Sequence, residues 1–296
     1  MKNAMIRNPC FGLRIVILQC YFARKISDML DTMTLPKWLD DFIFEELGAK
    51  YCRLNSNMTV IDWDKNDILN YLGTYFPRSY AEAYCIYSEL FKSSNSPLKD
   101  KDAIRIFDFC CGTGGEIVGF ITALADNCKN IKNVLIDALD GNDYGLRLSE
   151  SVINELAKRI DVEIKYNVIP HRIDDFYDLD MVNVVMKDSY DIIMTFKAIC
   201  EFVTIDRFDR QNPYQHITDF FLPRLSDGGI MLFVDLSSKN NTSQEWLPKQ
   251  MDKGLSKCSC TILRRNEGYN QTFYVRHSRR TDCDVSKIVW RLVTKK

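Results

Sequence analysis

The sequence has few of the features that mark several large classes of protein. It has only 3 histidines in 296 residues, too few for a histidine-rich metal centre. No run reaches the roughly 20 apolar residues that cross a bilayer, and no Gly-Lys-Ser/Thr follows a glycine-rich turn. The sequence therefore predicts neither a membrane span nor a Walker phosphate loop. What remains, with 46% hydrophobic and 27% charged residues, is typical of a water-soluble globular protein.

The cysteines and the start of the chain bear on location. The 11 cysteines are odd in number and scattered, which favours reduced thiols and a cytoplasmic protein. Residues 10–23, CFGLRIVILQCYFA, are apolar but interrupted by Arg14 and Gln19. We expect a buried or partner-facing helix there. A targeting segment is the alternative.

The near-zero net charge conceals an asymmetry. From Lys253 to Lys296 the chain carries 11 basic and 3 acidic residues, a net charge of +8, while the preceding part carries −9. A segment this basic is a candidate surface for RNA or another polyanion. The alternative is a solvated hairpin whose basic residues protect a sheet edge from aggregation.

The pattern of apolar residues divides the chain in two. Residues 35–52, 64–76 and 79–91 have helical spacing, and the polar stretch 92–102 is the best linker. We therefore predict a helical N-terminal cap region, residues 1–95, and a second domain, residues 96–296.

The second domain alternates short apolar runs with amphipathic stretches, which predicts an α/β fold with a mostly parallel sheet. The last two strand-like runs, residues 271–277 and 287–295, predict an antiparallel hairpin at the sheet edge. The five preceding runs are residues 103–109, 133–139, 162–169, 190–196 and 229–236.

The turn after the first of these runs is the most informative stretch. Gly112 and Gly114 follow a strand and precede a helix, but Ile117 stands where a dinucleotide fingerprint needs its third glycine. Glu116 lies at the predicted start of the helix, where its carboxylate would repel a pyrophosphate. The turn therefore suits a ligand with little negative charge.

The segment Asp108-Phe-Cys110-Cys-Gly112-Thr-Gly114 resembles the D-x-G-x-G-x-G first motif of class I S-adenosylmethionine-dependent methyltransferases, with Cys110 in place of the first glycine. The resemblance covers residues 103–296. It implies a Rossmann-like sheet of about seven strands and S-adenosylmethionine as the cofactor. Asp108, Cys110, Gly112 and Gly114 would then lie against the methionine part of that cofactor.

The same resemblance assigns roles further along the chain. Asp140, with Asp143 as the alternative, would bind the ribose hydroxyls, and a helix N-cap is the other interpretation of these two residues. Asp174 matches the position that contacts the adenine amino group. The last implied group lines the catalytic mouth and consists of Thr195, Phe196 and Lys197.

A narrower resemblance lies upstream. The segment from Tyr71 to Ala83, with Ile199-Cys-Glu201 later, is similar to the ribosomal small-subunit-associated methyltransferase-like family. That resemblance implies RNA or a ribonucleoprotein as the partner. Arg78 and Tyr80 would either close over the carboxylate of the cofactor or pack the two domains together.

The residue sets for DNA methylation and for a metal site are incomplete. Thr195-Phe-Lys-Ala occupies the place where DNA amino-methyltransferases commonly carry N/D-P-P-Y/F. A cytosine-C5 methyltransferase needs a thiol nucleophile, often in a Pro-Cys pair. Cys200 lacks the proline and is expected in a helix core. Cys258, Cys260 and Cys283 supply three thiols where a closed metal site needs four ligands, so no metal is predicted.

The sequence thus predicts an S-adenosylmethionine-dependent methyltransferase that acts on RNA or a ribosome-related substrate. One alternative is a small-molecule or protein methyltransferase with a helical lid. The other is a non-catalytic assembly factor that keeps the fold.

Overall fold

The computed structural model describes residues 32–52, 63–93, 97–98, 100–187, 189–202, 211–239 and 245–296. The apolar segment at residues 10–23 lies outside these ranges. None of the helices in the described part of the chain is long and apolar enough to cross a membrane.

Eight α-helices are found in the described ranges. The helices are α1 Lys37–Asp41, α2 Lys65–Lys92, α3 Gly115–Asn127, α4 Asp143–Ala157, α5 Asp180–Val185, α6 Ile199–Phe202, α7 Pro213–Phe221 and α8 Leu247–Leu255. Helix α1 continues directly into a π-helical turn, Phe42–Glu46, and α7 continues into a 3₁₀ turn, Leu222–Arg224.

The strands in the described ranges are β1 Thr32–Thr34, β2 Ala103–Phe109, β3 Asn133–Asp140, β4 Glu163–Pro170, β5 Tyr190–Phe196, β6 Leu225–Leu236, β7 Cys260–Arg265, β8 Gln271–Arg276 and β9 Asp284–Lys295. They form one mixed sheet in the order β1-β8-β9-β6-β5-β2-β3-β4, and β7 also pairs with β9.

The predicted α/β class with a mostly parallel sheet is confirmed. Strands β2 to β6 pair in parallel, and helices lie on both faces. The strand count is nine in the described residues rather than about seven, because the sheet also includes β1 and β7. The predicted antiparallel hairpin is β8–β9. Its second strand is interior, since β9 pairs with β6 on one side and with β7 and β8 on the other.

The two helices predicted at residues 64–76 and 79–91 are a single helix, α2. Its N-terminus is fixed by a capping box, in which the Asp64 side chain accepts from the backbone N–H of Asp67 and the Asp67 side chain accepts from that of Asp64. Pro77 lies inside the helix, where proline removes one backbone hydrogen bond. The proline made the sequence pattern look like two helices, whereas burial of both halves against the sheet keeps them continuous.

Helix α2 lies unusually close to α3. A Cβ built on Gly115 would be 2.6 Å from the Phe76 carbonyl oxygen, and one on Gly119 would collide with the Tyr80 carbonyl oxygen. A glycine pair spaced by four residues therefore lets the two backbones touch. Leu72 of α2, fully buried, belongs to the same hydrophobic cluster as Ile106 of β2. The division at residue 95 stays a prediction, but this one cluster includes residues from both sides of it.

We expect Leu72→Ala to lower the free energy of unfolding by about 2–5 kcal/mol, since it removes a fully buried side chain from the cluster shared by α2 and the sheet. Urea denaturation followed by circular dichroism measures the change. Lys92→Ala, at an exposed position at the end of the same helix, should change it by less than about 0.5 kcal/mol. A wild-type-like Leu72→Ala protein would contradict the shared core.

Candidate functional site

The turn after β2 passes through left-handed backbone conformations. The φ angle is 63° at Cys110, 52° at Gly112 and 74° at Gly114. The backbone N–H of Cys111 donates to the Leu139 carbonyl at 3.0 Å, which joins the turn to the end of β3. Cys110 thus adopts a left-handed conformation, which favours the glycine that the motif has at this position.

Asp140 joins the first two strand ends. Its carboxylate accepts hydrogen bonds from the backbone N–H of Gly112 at 2.8 Å and of Asn142 at 2.9 Å. Asn142 is itself the N-cap of α4 and accepts from the Gly145 N–H, so Asp143 is the first helical residue rather than a cap. Each oxygen of Asp140 retains acceptor capacity, because a carboxylate oxygen carries two lone pairs.

Tyr71 of α2 covers the turn. A Cβ on Gly112 would lie 3.2 Å from the Tyr71 ring, so a larger residue there would press against that ring. Tyr71 lies between Trp63, with ring centroids 5.2 Å apart, and Tyr75, 5.0 Å away. Sequence reasoning included Tyr71 only in a family pattern and missed this contact, because the helix and the turn are about 40 residues apart in the chain.

Two buried carboxyls lie beneath the turn. Asp108 is fully buried, and neither of its carboxyl oxygens has a hydrogen-bond partner among the residues that the structure describes. Burial, then the nearby charges of Glu116 and Asp140, raise the pKa of Asp108 well above its usual range. Burial likewise raises the pKa of Glu116 to about 8, although its own backbone N–H and Lys197 oppose the shift.

Lys197, which follows β5, is buried with a φ of 58°. Its ammonium donates to both carboxylate oxygens of Glu82 on α2, at 2.8 and 3.1 Å. Ser286 of β9 also donates to Glu82. The predicted mouth residue is therefore fixed by an ion pair, since a buried charge needs such a partner.

Two more acidic side chains, Asp235 and Glu201, lie near Lys197 in the site. Asp235, at the end of β6, is buried and accepts from the Tyr214 hydroxyl at 2.8 Å. Glu201 is accessible to solvent, but protein surrounds much of its carboxyl. Removal from water, then the charge of Asp235, raise the pKa of Glu201 to about 8, and Lys197 opposes the shift.

The other predicted site residues lie elsewhere or deeper. Asp174 is largely exposed and accepts from the Arg172 guanidinium at 2.9 Å. Thr195 and Phe196 end β5 and are 1% and 4% exposed, inside the sheet rather than on an open surface. These three assignments stay predictions. The residues that the structure does bring together are those of the β2 turn, Asp140 and Lys197.

Arg78 and Tyr80 of α2 contact other parts of the fold. Arg78 forms a two-pronged ion pair with Asp284 of β9, at 2.8 and 2.9 Å. Tyr80 is fully buried, and its carbonyl is the one that Gly119 approaches. Both residues therefore pack α2 against the rest of the chain.

The three C-terminal cysteines do not converge. Cys260 begins β7 and pairs in register with Lys295 near the end of β9, with Cys258 just before it, whereas Cys283 precedes the start of β9. The length of β9 thus separates the first two thiols from the third. No group of three or more His, Cys, Asp and Glu in the described ranges is arranged to hold a metal ion.

No protein-family model and no curated protein sequence matches this chain. Solved structures do. A candidate RNA methyltransferase from Pyrococcus horikoshii is similar at 10% identity and a TM-score of 0.45, over 88% of this chain and 98% of that one. Magnesium protoporphyrin IX methyltransferase from Synechocystis PCC 6803, solved with bound S-adenosylmethionine, is similar at 10% identity and a TM-score of 0.44, over 100% of both chains.

A third structure is a candidate class I S-adenosylmethionine-dependent methyltransferase from Listeria monocytogenes, with 12% identity, a TM-score of 0.42 and 74% of this chain covered. This chain spans 59% of the length of that protein. The similarity in all three cases is distant.

We expect Cys110→Gly to change the free energy of unfolding by less than about 1 kcal/mol, because glycine adopts a φ of 63° freely but adds disorder to the unfolded chain. Cys110→Val should cost more than about 1 kcal/mol, since a β-branched side chain disfavours this conformation. Urea denaturation of both variants measures the difference. Equal stability of the two would contradict the left-handed turn.

Glu116 makes stability depend on pH. Its pKa is about 8 in the folded protein, against a usual value of 4.5. Its stabilising contribution is therefore full below pH 4.5 and is lost as the pH rises through about 8. Relative to Glu116→Gln, the wild type should lose on the order of 3 kcal/mol of unfolding free energy between pH 5 and pH 9. Denaturation at both pH values measures it.

The control for this measurement is Asp161→Asn, which alters a fully exposed carboxyl and should follow the wild type at both pH values. A constant difference between Glu116→Gln and wild type would show that Glu116 titrates normally.

Proposed function

We propose that this protein binds S-adenosylmethionine and transfers its methyl group. The observation that carries the proposal is the cluster of carboxyls around a glycine turn at the carboxyl ends of the parallel strands, where folds of this type bind ligands. Asp108, Glu116 and Asp140 meet there, and the nearby cation, Lys197, is paired with Glu82. Such a place favours a ligand that carries positive charge.

The residues present fit this cofactor. Asp140 has remaining acceptor capacity for ribose hydroxyls, and Gly112, which has no side chain, lets the Tyr71 ring lie directly against the turn. Asp108 has no partner in the described part of the chain, and a neighbouring ammonium or sulfonium would stabilise its charged form. When bound, the cofactor supplies a methyl group activated by its attachment to a sulfonium.

A phosphate-bearing ligand is disfavoured at the same place. A pyrophosphate at the start of α3 would meet Glu116, which is 4% exposed and lies in the first turn of the helix. Because the pKa of Glu116 is already raised to about 8, an adjacent anion would keep this carboxyl protonated, whereas an adjacent cation would stabilise its charged form. The buried carboxyls thus favour the cationic S-adenosylmethionine over a dinucleotide.

The chain's own residues would orient and protect the reaction. Tyr71, with its ring neighbours Trp63 and Tyr75, covers the turn and limits the access of water. Glu201, with a pKa of about 8, is a carboxyl in the range suited to accepting a proton from a methyl acceptor. Alignment of donor and acceptor would supply much of the rate.

The proposed acceptor is RNA or a ribosome-related substrate in the cytoplasm. Exposed basic residues of the C-terminal segment support it, and the described cysteines are all thiols rather than disulfides. The alternative is a small-molecule acceptor, for which the specific observation is the cover that Tyr71 places over the turn. A non-catalytic factor would bind the cofactor without turnover.

We expect Asp140→Ala to weaken S-adenosylmethionine binding about 5- to 150-fold, the equivalent of losing about 1–3 kcal/mol of hydrogen bonding. Isothermal titration with S-adenosylmethionine and S-adenosylhomocysteine measures it. The matched control, Asp161→Ala, removes a fully exposed carboxylate and should bind as the wild type does.

Absence of binding to a folded wild-type protein would overturn the proposal. Binding without transfer of a radiolabelled methyl group to RNA, protein or small-molecule extracts would instead support the non-catalytic factor.

A further inference from the structure

Two stacked aromatic rings and two lysines form an exposed cluster outside the site described above. Trp246 and Tyr269 stack with ring centroids 5.3 Å apart and an interplanar angle of 27°. The Lys239 ammonium is 5.5 Å from the Trp246 centroid, and the Lys249 ammonium is 6.0 Å from the Tyr269 centroid. Tyr269 is 49% exposed. We call these four residues the aromatic–lysine surface.

Backbone contacts hold the surface in place. Lys239 and Trp246 form an isolated antiparallel bridge, and the Leu247 N–H donates to the Ser238 carbonyl at 2.9 Å. The Ser237 hydroxyl donates to the Tyr269 carbonyl at 2.6 Å. The rings are therefore pre-organised, which reduces the entropy that a ligand must overcome on binding.

The surface is close to the proposed catalytic mouth. Ser237 directly follows β6. Asp235, the next-to-last residue of that strand, is the residue whose charge acts on Glu201. Lys239 is four residues beyond Asp235 in the chain, so their Cα atoms are at most about 14 Å apart. A polymer that crosses the surface could therefore place one of its units at the mouth.

The charge around the surface is positive. Lys253 lies one turn along α8 from Lys249 and is exposed. The Lys287 carbonyl accepts from the Ser237 N–H, and its side chain is exposed too. Asp252, on the same helix, is neutralised by a two-pronged ion pair with Arg291 at 2.6 and 2.9 Å. Glu245 and Glu267 are the nearby acids in the chain.

We propose that the aromatic–lysine surface binds single-stranded RNA. The assignment rests on the proposed function, since it gives the methyl acceptor a place to bind beside the mouth. Because the two rings stack on each other, an unpaired base would stack on an outer face of the pair, where Lys239 and Lys249 would exchange their ring contacts for the phosphates of the RNA. A folded duplex would present no free base faces to Trp246 and Tyr269.

The test is fluorescence anisotropy with a labelled single-stranded RNA of about 12 nucleotides. Tyr269→Ala should bind about 5- to 150-fold more weakly than wild type, because it removes one stacking face. Tyr269→Phe keeps the ring and should bind as wild type does. Equal affinity of Tyr269→Ala and wild type overturns the proposal.

The lysines are tested by salt dependence. Lys239→Ala/Lys249→Ala should reduce the slope of log affinity against log salt by about 1.4, at about 0.7 per phosphate contact. The matched control is Lys129→Ala/Lys132→Ala, which removes the same charge from exposed positions before β3, a strand separated from β6 by β5 and β2. An equal loss in the control pair overturns the assignment to this surface.

Two further arms separate the possible failures. Equal affinity for single-stranded DNA of the same sequence overturns RNA as the ligand. The same preparations are titrated with S-adenosylmethionine: cofactor binding without RNA binding overturns the aromatic–lysine surface alone. RNA binding that responds to Tyr269→Ala, without cofactor binding, supports the surface and overturns the proposed function.

Discussion

The direct contact between the backbones of α2 and α3 is the constraint on which the site depends. Gly115 and Gly119 leave no room for a Cβ between the helices, so α2 lies as near the β2 turn as packing permits. This position brings Tyr71 over Gly112 and carries Glu82 to Lys197. A helix from the N-terminal part of the chain therefore completes a site whose other residues come from the sheet.

The electrostatics of the site follow from this enclosure. Asp108 and Glu116 are removed from water and lie near other acidic groups, so their pKa values rise for the same two reasons. Lys197 lowers the pKa of Glu116 only in part, because its charge is paired with Glu82. A site of this kind costs the folded protein stability at high pH, and a cationic ligand would recover some of it.

The basic residues of the C-terminal segment have two roles: some hold the fold together, and others are exposed to solvent. Strand β9 lies inside the sheet and provides Asp284 for Arg78 and Ser286 for Glu82, so it fixes α2 from the other side. Arg291 is buried in its ion pair with Asp252. Part of the basic charge thus holds the fold together, and the exposed basic residues of the segment are available to a polyanion, together with Lys239 and Lys249 before it.

The sequence by itself determined the α/β class, the β2 turn and the place of Asp140, because strand periodicity and glycine spacing are local properties. It did not determine that α2 is one helix through Pro77, that β9 is interior, or that α2 brings Tyr71 to Gly112 and Glu82 to Lys197. Those contacts join residues far apart in the chain, and only burial of the shared core selects them. Tertiary packing likewise decided that Cys110 takes a glycine conformation, because the turn must reach both β3 and Tyr71.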